Sequence, residues 1–225
     1  IRAGELIAEQ GYVTNLITDD ALACLDRYAD ALTSAPTNHE PPPFYLGVHY
    51  TAPHSPWTGH PKSIVDSYDD CPFESCPQEP IHPWSVGHGL TEGSLGNREH
   101  LQGYFAAVTA MDADVGRLLD KLDERGLRQD TLVVFVSDNG FSCGHHGFWG
   151  KGNGTFPLNM FENSVTVPFL VSQPGRIAPG QCVDGLHNAF DLFPTLLDYL
   201  ELSPPDDGID RPGRSFADTI DGSRP

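Results

Sequence analysis

An acid-amide pair, a lysine and a histidine are the residues of this chain best suited to chemistry. Asp138 and Asn139 directly follow a short run of Leu, Val and Phe, and together they offer oxygen ligands to a hard cation. Lys151 lies in the glycine-rich stretch that comes next and is one of only three lysines in the chain. His54 and Ser55 lie between two prolines, which stiffen the loop that carries them. The alternative for Asp138 and Asn139 is a simple turn, which Asp-Asn-Gly favours. The alternative for His54 is a solvated loop residue without a role in catalysis.

The composition indicates a globular protein that does not bind polyanions. Of the 225 residues, 39% are hydrophobic and 10% are aromatic, which is enough to bury a core. The 13 basic and 31 acidic residues give a net charge of −18, which argues against nucleic acid as a partner. No apolar run approaches the ~20 residues needed to cross a bilayer, and the first residues lack the pattern of a signal peptide. We therefore expect no membrane span.

Helical and strand patterns alternate along the chain, which predicts an α/β fold with a largely parallel sheet. The predicted helices are Ile17–Leu32, capped by Thr18, then His100–Leu127, ended by Gly126, and Asp191–Leu200. The predicted strands are Phe44–Tyr50, Leu132–Val136 and Val165–Val171. We expect Leu132–Val136 to be buried on both faces, with Asp138 and Asn139 at its carboxyl end, where ligands bind in open α/β sheets. Asp112 and Asp114 are expected on the solvated face of the long helix.

Three segments of the chain show no apolar periodicity. Residues 58–97 are predicted to form a long loop or insertion, which either lines a substrate cleft or is disordered. The glycine-rich residues 141–158 are predicted to be a loop at the sheet edge, and residues 203–225 a polar tail. Five cysteines are too few and too scattered for a disulfide framework or a zinc site. Cys71 and Cys76 are close enough in sequence to form a bridge, and the alternative is two reduced thiols.

Five stretches of the sequence, taken together and in order, resemble the sulfatase family of the alkaline-phosphatase-like superfamily. They are FYLGVHYTAPHSPW, YFAAVTAMDADVGRLLDKLDERGLRQDTLVVFVSDNG, HHGFWGKG, VPFLVSQPGRIAPGQ and DLFPTLLDYL. The likeness runs from about Thr18 to Arg214. It implies an alkaline-phosphatase-like sandwich, incomplete at both ends, in which residues 1–225 form a single partial catalytic domain.

The resemblance gives a role to each candidate residue. In sulfatases one calcium ion is held by early carboxylates and an Asp-Asn pair, which corresponds to Asp138 and Asn139, so the remaining ligands would lie outside this chain. The histidine beside the leaving-group oxygen corresponds to His54, and the lysine that contacts sulfate corresponds to Lys151. The chemistry agrees, since calcium takes oxygen ligands, lysine supplies a point charge and histidine can supply a proton near neutral pH. The implied partner is a sulfate-ester small molecule or a sulfated glycan.

One part of the family's machinery has no counterpart in the sequence. Sulfatases attack sulfur with a formylglycine made from the Cys or Ser of a Cys-x-Pro-x-Arg-like motif, and the 225 residues contain no such motif. We therefore expect the nucleophile to lie outside this chain and the isolated chain to be inactive. His145 and His146 match no family role and are expected to be structural or to line the cleft.

Two other functions are compatible with the same sequence features. A phosphodiesterase or phosphonate-ester hydrolase of the same superfamily is one, because a tetrahedral anion and a metal serve both reactions. A non-catalytic binding protein that keeps the fold without the nucleophile is the other. For the parent protein we expect a periplasmic or extracellular location rather than a cytoplasmic one.

Overall fold

A computed structural model describes residues 4–35, 42–86 and 88–220 of the chain. The helices are α1 (Val13–Ser34), α2 (Lys62–Asp66), α3 (His88–Ser94), α4 (Arg98–Glu124), α5 (Glu162–Val165), α6 (Ala189–Tyr199) and α7 (Ala217–Ile220). The strands are β1 (Val133–Val136), β2 (Ser142–Cys143), β3 (Trp149–Gly150) and β4 (Phe169–Ser172). Short 3-10 turns lie at Arg128–Asp130, His145–Gly147 and Gly152–Gly154. These residues group into two compact units, one of Ile1–Leu127 with Gly140–Val165 and the other of Arg128–Asn139 with Thr166–Pro225.

Two long helices, α1 and α4, pack together in the first unit. The buried residues of α1 recur at helical spacing, and they are Thr14, Thr18, Ala21, Leu25 and Ala29. Most of them are small, as are Gly103, Ala106, Ala107 and Ala110 of α4, so the two backbones can approach closely. Lys121 of α4 and Arg125, which directly follows α4, pair with Asp26 of α1 at 3.3 and 2.6 Å. No helix in the described part of the chain is long and apolar enough to span a membrane.

The long helices lie where the sequence predicts them, but two side chains differ from the prediction. Thr18 does not cap α1, because it is fully buried inside the helix and donates its hydroxyl to the carbonyl oxygen of Thr14 at 3.0 Å. Asp114 is not solvated, because it is only 3% exposed and pairs with Arg117 at 2.6 Å. Burial of a carboxylate requires such a compensating charge. Asp112 is exposed, as predicted.

The segment 58–97 contributes to the core of the first unit. It forms α2 and α3, and it places Phe73 and Cys76 in a buried cluster. The buried members of this cluster are Trp57, Phe73, Cys76, Leu101, Cys143 and Trp149. Because the chain turns between its buried residues, the segment shows no period in the sequence. The prediction of a loop therefore holds only in part, and the alternative of disorder is wrong for the described residues.

The strands of the described residues form two antiparallel pairs. β1 pairs with β4, with Val134 opposite Val171, and β2 pairs with β3. Neither pair gives β1 a parallel neighbour. The sequence does not predict this, because an apolar run indicates burial but not the direction of the partner strand. The prediction that this strand is buried on both faces is wrong, since Val136 is 44% exposed. The predicted strand Phe44–Tyr50 is not among the strands of the described part, although its residues are half-buried in alternation.

The second unit combines the β1–β4 pair with α6 and α7. The predicted strand Val165–Val171 is displaced, because β4 begins only after Pro168, which lacks the N–H of a ladder donor. α6 begins with a capping box, in which Asn188 accepts from the Phe190 N–H and Asp191 accepts from the Asn188 N–H. Asp191 also accepts the Arg214 N–H at 2.8 Å, and these backbone hydrogen bonds lower the pKa of Asp191. The polar tail is thereby tied to α6, and its residues 221–225 lie outside the described residues.

The close approach of α4 to the backbone of Trp57 gives a stability test. A methyl group on Gly103 would overlap the Trp57 carbonyl oxygen. We expect Gly103→Ala to lower the free energy of unfolding by roughly 1–3 kcal/mol because the backbones must move apart. Gly116→Ala on the same helix is the control, since its methyl group would meet nothing within 4 Å. The control should raise the free energy of unfolding by up to about 1 kcal/mol. Chemical denaturation measures both, and similar effects of the two changes would contradict the close contact.

Candidate active site

His54 lies on an exposed loop whose backbone fixes the orientation of its ring. Its Nδ1 atom lies 2.9 Å from the carbonyl oxygen of Ser55 and 3.4 Å from the Ser55 hydroxyl. Because a carbonyl oxygen can only accept, this contact places a hydrogen on Nδ1 and leaves Nε2 for proton exchange. The Trp57 indole N–H donates to the carbonyl oxygen of Pro53 at 2.9 Å and closes the loop.

Lys151 directly follows β3 and is half-buried. Its carbonyl oxygen accepts from the Gly154 N–H at 2.7 Å and from the side-chain amide of Asn159 at 3.1 Å. The same amide lies 3.3 Å from the Gly152 carbonyl oxygen and 3.2 Å from the Thr155 hydroxyl. The buried Asn159 therefore fixes the backbone at and after the lysine. Sequence reasoning missed Asn159, because a single buried amide leaves no periodic signal.

Two buried tryptophans join the histidine segment to the lysine segment. Trp57 is three residues after His54, and Trp149 is two residues before Lys151. Their ring centroids are 5.0 Å apart, and the rings are 6% and 0% exposed. Phe141 packs against both rings, with centroids at 6.0 and 6.3 Å. The structure therefore anchors the two segments in one aromatic core, although 97 positions (151 − 54) separate the two candidate residues.

His145 and His146 have structural contacts beside this core. The Nε2 atom of His145 lies 2.7 Å from the carbonyl oxygen of Ser75, to which it donates. His146 has a positive φ of 57° and stacks on Phe161 with centroids 3.9 Å apart. The sequence leaves a structural or a cleft-lining part open for both histidines, and these contacts fit the structural one.

Asp138 and Asn139 belong to the second unit and follow the carboxyl end of β1. Asp138 is exposed and Asn139 is half-buried, so neither side chain is buried in an apolar core. The Ser137 hydroxyl donates to the carbonyl oxygen of Asn139 at 3.0 Å and tightens the turn. Carboxylate and amide oxygens are the donor types that calcium prefers. Over the described ranges, no group of three or more His, Cys, Asp or Glu side chains could hold a metal.

The predicted site residues divide between the two units. His54 and Lys151 belong to the first unit, and Asp138 and Asn139 to the second. The contact between Trp57 and Trp149 links the segments of His54 and Lys151. Asp138 and Asn139 are adjacent in the sequence. The gathering of all four residues at one site stays a prediction.

Comparison of the sequence with known proteins points to one family. The family profile described as Sulfatase matches residues 4–202. A choline-sulfatase of Rhizobium meliloti (strain 1021) is 33% identical over 175 residues, which cover 72% of this chain and 32% of that protein. An arylsulfatase of Clostridium perfringens (strain 13 / Type A) is 31% identical over 180 residues, which cover 73% of this chain and 35% of that protein. The chain spans about a third of the length of these relatives.

Solved structures share the fold. One of them, in complex with its substrate D-glucosamine-2-N,6-O-disulfate, matches 97% of this chain and 54% of its own, with a TM-score of 0.68 and 22% identity. A phosphonate monoester hydrolase from Silicibacter pomeroyi matches 95% of this chain and 42% of its own, with a TM-score of 0.71 and 24% identity. These likenesses confirm the predicted α/β, alkaline-phosphatase-like fold class.

The hydrogen bond of His54 predicts the tautomer of its neutral ring. We expect the hydrogen on Nδ1, because that atom faces the Ser55 carbonyl oxygen. His145 is an internal control with the opposite expectation, since its Nε2 atom faces the Ser75 carbonyl oxygen. NMR spectra that correlate ring nitrogens with ring hydrogens, on protein with isotope-labelled histidines, distinguish the two tautomers. The same tautomer at both residues would contradict the geometry.

Proposed function

The chain belongs to the sulfatase family, and from that premise we propose that it forms part of a hydrolase that cleaves sulfate monoesters. The observation that carries the proposal is the contact between Trp57 and Trp149. It anchors the segment with His54 and the segment with Lys151 in one core. Hydrolysis of a sulfate ester needs a cation for the sulfate and an acid for the leaving alcohol, and both must be held in place.

Lys151 is proposed to contact the sulfate group. Its ammonium would add positive charge where negative charge grows in the transition state. The Asn159 amide fixes the backbone of this residue, so only the side chain has to be ordered when the ester binds. Positive charge is needed here because the chain as a whole carries −18 and repels an anionic ester.

His54 is proposed to protonate the leaving alcohol. The Ser55 carbonyl oxygen accepts from Nδ1, so in the imidazolium form of the ring Nε2 carries the proton that passes to the ester oxygen. The ring is exposed, so the ester oxygen can reach it. An alcohol leaves far more readily than an alkoxide, which is the reason a positioned acid accelerates the reaction.

Asp138 and Asn139 are proposed to hold one calcium ion. They offer carboxylate and amide oxygens at a strand end, and Asp138 is exposed. Calcium takes about six to eight oxygen ligands, so we propose that further carboxylates from outside this chain complete the site. When bound, the ion would supply positive charge that screens the ester and stabilises the charge developing on it.

The nucleophile is proposed to be a formylglycine that lies outside these 225 residues. The proposed substrate is a sulfate-ester small molecule or a sulfated glycan, and a sulfated sugar as substrate of a structural neighbour supports this class. For the parent protein we propose a periplasmic or extracellular location.

A second candidate is a phosphonate-ester hydrolase, which the structural likeness to the Silicibacter pomeroyi enzyme favours. Lysine, histidine and a divalent cation would serve that reaction equally well. Turnover of an aryl sulfate and an aryl phosphonate by the same intact protein separates the two. A preference for the sulfate supports the sulfatase, and turnover of neither ester supports a binding protein.

The role of Lys151 predicts the effect of its removal. In the intact protein, we expect Lys151→Ala to lower turnover of an aryl sulfate by ~10²–10³, because one charge-stabilising donor is lost. Lys62→Ala is the matched control, since Lys62 is 86% exposed and pairs only at the surface with Asp66 of its own helix. Steady-state kinetics with folding checked by circular dichroism measure both variants. Equal turnover of the two variants would remove Lys151 from the mechanism.

The metal role of Asp138 is testable without measuring activity. In the intact protein, Asp138→Asn should weaken calcium binding at least about tenfold, because a carboxylate charge is lost from the ligand set. Asp112→Asn is the control, since Asp112 is an exposed acid on α4. Calorimetric titration with calcium measures the affinity, and the rise in melting temperature on adding calcium gives a second reading. Identical affinities of the two variants would exclude Asp138 as a ligand.

A further inference from the structure

Two buried thiols from distant parts of the sequence meet in the core of the first unit. Cys76 comes from the segment 58–97, and Cys143 ends β2. They are 9% and 3% exposed, and both are free thiols that belong to the same buried cluster. The side-chain amide of Gln78 donates to the carbonyl oxygens of both cysteines, at 2.8 Å each. One amide therefore holds the two backbones next to each other.

Further contacts align the two segments around the thiols. The Glu79 N–H donates to the Gly144 carbonyl oxygen at 3.3 Å, and His145 donates to the Ser75 carbonyl oxygen at 2.7 Å. These contacts lie on both sides of Cys76 in the sequence. These contacts hold the backbone around Cys76 against the backbone around Cys143.

Cys71, the partner that sequence spacing suggests for Cys76, packs against the same cluster but has a different backbone contact. Its carbonyl oxygen accepts from the Arg98 guanidinium at 2.9 Å, and its side chain is half-buried at the edge of the cluster. Cys76 instead shares the buried cluster with Cys143, and the Gln78 amide donates to the carbonyl oxygens of both. The tertiary structure thus gives Cys76 a partner that lies 67 positions away (143 − 76).

The contact also makes the two thiols chemically unequal. The neighbouring Cys143 thiol lowers the pKa of Cys76, which favours the Cys76 thiolate. The interaction with Cys76, together with burial, raises the pKa of Cys143. Cys76 is therefore better suited to attack first, and Cys143 is suited to resolve the mixed disulfide.

We propose that Cys76 and Cys143 form a disulfide bond by exchange with a small-molecule or protein disulfide. The Cys76 thiolate attacks one sulfur of the oxidant, which forms a mixed disulfide and releases the first thiolate of the oxidant. Cys143 then loses its proton and attacks the Cys76 sulfur, which closes the bond and releases the second thiolate. Two protein thiols are oxidised and one disulfide oxidant is reduced to two thiols, so atoms and electrons balance.

The bond would tie the segment 58–97 to the strand that leads toward Lys151. β2 pairs with β3, and Lys151 directly follows β3. A cross-link over this distance in sequence restricts the unfolded chain strongly, so it should stabilise the first unit. This inference does not depend on the proposed reaction, because it concerns only the core beneath the candidate residues.

Peptide mapping tests the bond in the intact protein. The reduced protein is freed of reductant and incubated with oxidised glutathione, and the remaining thiols are alkylated. Digestion after Lys, Arg and Glu separates Cys71 from Cys76, because Glu74 lies between them. We expect a linked peptide pair that contains Cys76 and Cys143 and disappears on reduction. The oxidised protein should melt on the order of 10 °C above the reduced protein.

Variants of the two candidate partners complete the test. Cys71→Ala should keep the linked pair, and Cys143→Ala should lose it. If Cys143→Ala does not fold, mapping of the unaltered protein still decides the question. Recovery of Cys76 as an alkylated thiol, as a stable glutathione adduct or linked to Cys71 would overturn the proposal.

Discussion

The packing of two indole rings is the interaction on which the candidate site of the first unit depends. Trp57 and Trp149 each carry a large apolar surface, and each lies within three residues of a candidate catalytic residue. Removing either ring would open a large void, because protein cores are packed nearly as densely as crystals. His54 and Lys151 therefore lie on loops whose ends are fixed by the core. The exposed His54 and the half-buried Lys151 are thus carried by loops on a rigid support.

Two side-chain amides, one of them buried, hold the irregular backbone around this core. The loops there contain only two-residue strands and single 3-10 turns, so regular ladders satisfy few of their carbonyl groups. Buried carbonyl groups need partners, and the amides of Asn159 and Gln78 supply them by reaching two carbonyl oxygens each. The first holds the backbone at Lys151, and the second holds two cysteines side by side. Order in this region thus comes from a few polar side chains and not from repeating secondary structure.

Electrostatics sets a further condition on the proposed function. A chain with a net charge of −18 repels a sulfate ester, so binding requires positive charge concentrated at one point. Lysine at the sulfate and a divalent cation at Asp138 and Asn139 would supply it. Several other cations are engaged in internal ion pairs, among them Arg117, which compensates the buried Asp114.

The sequence by itself determined the long helices, the α/β class and the family, because apolar spacing and ordered local motifs depend only on nearby residues. It also singled out His54, Lys151, Asp138 and Asn139 as candidates, because their residue types suit the proposed chemistry. Tertiary structure decided which distant residues meet. It joined Trp57 to Trp149 and brought Cys76 and Cys143 into one buried cluster. It also buried Asp114 and made the strand pairs of the described residues antiparallel. The reason is physical: burial and pairing between residues far apart in sequence depend on how elements pack, and no local pattern encodes that packing.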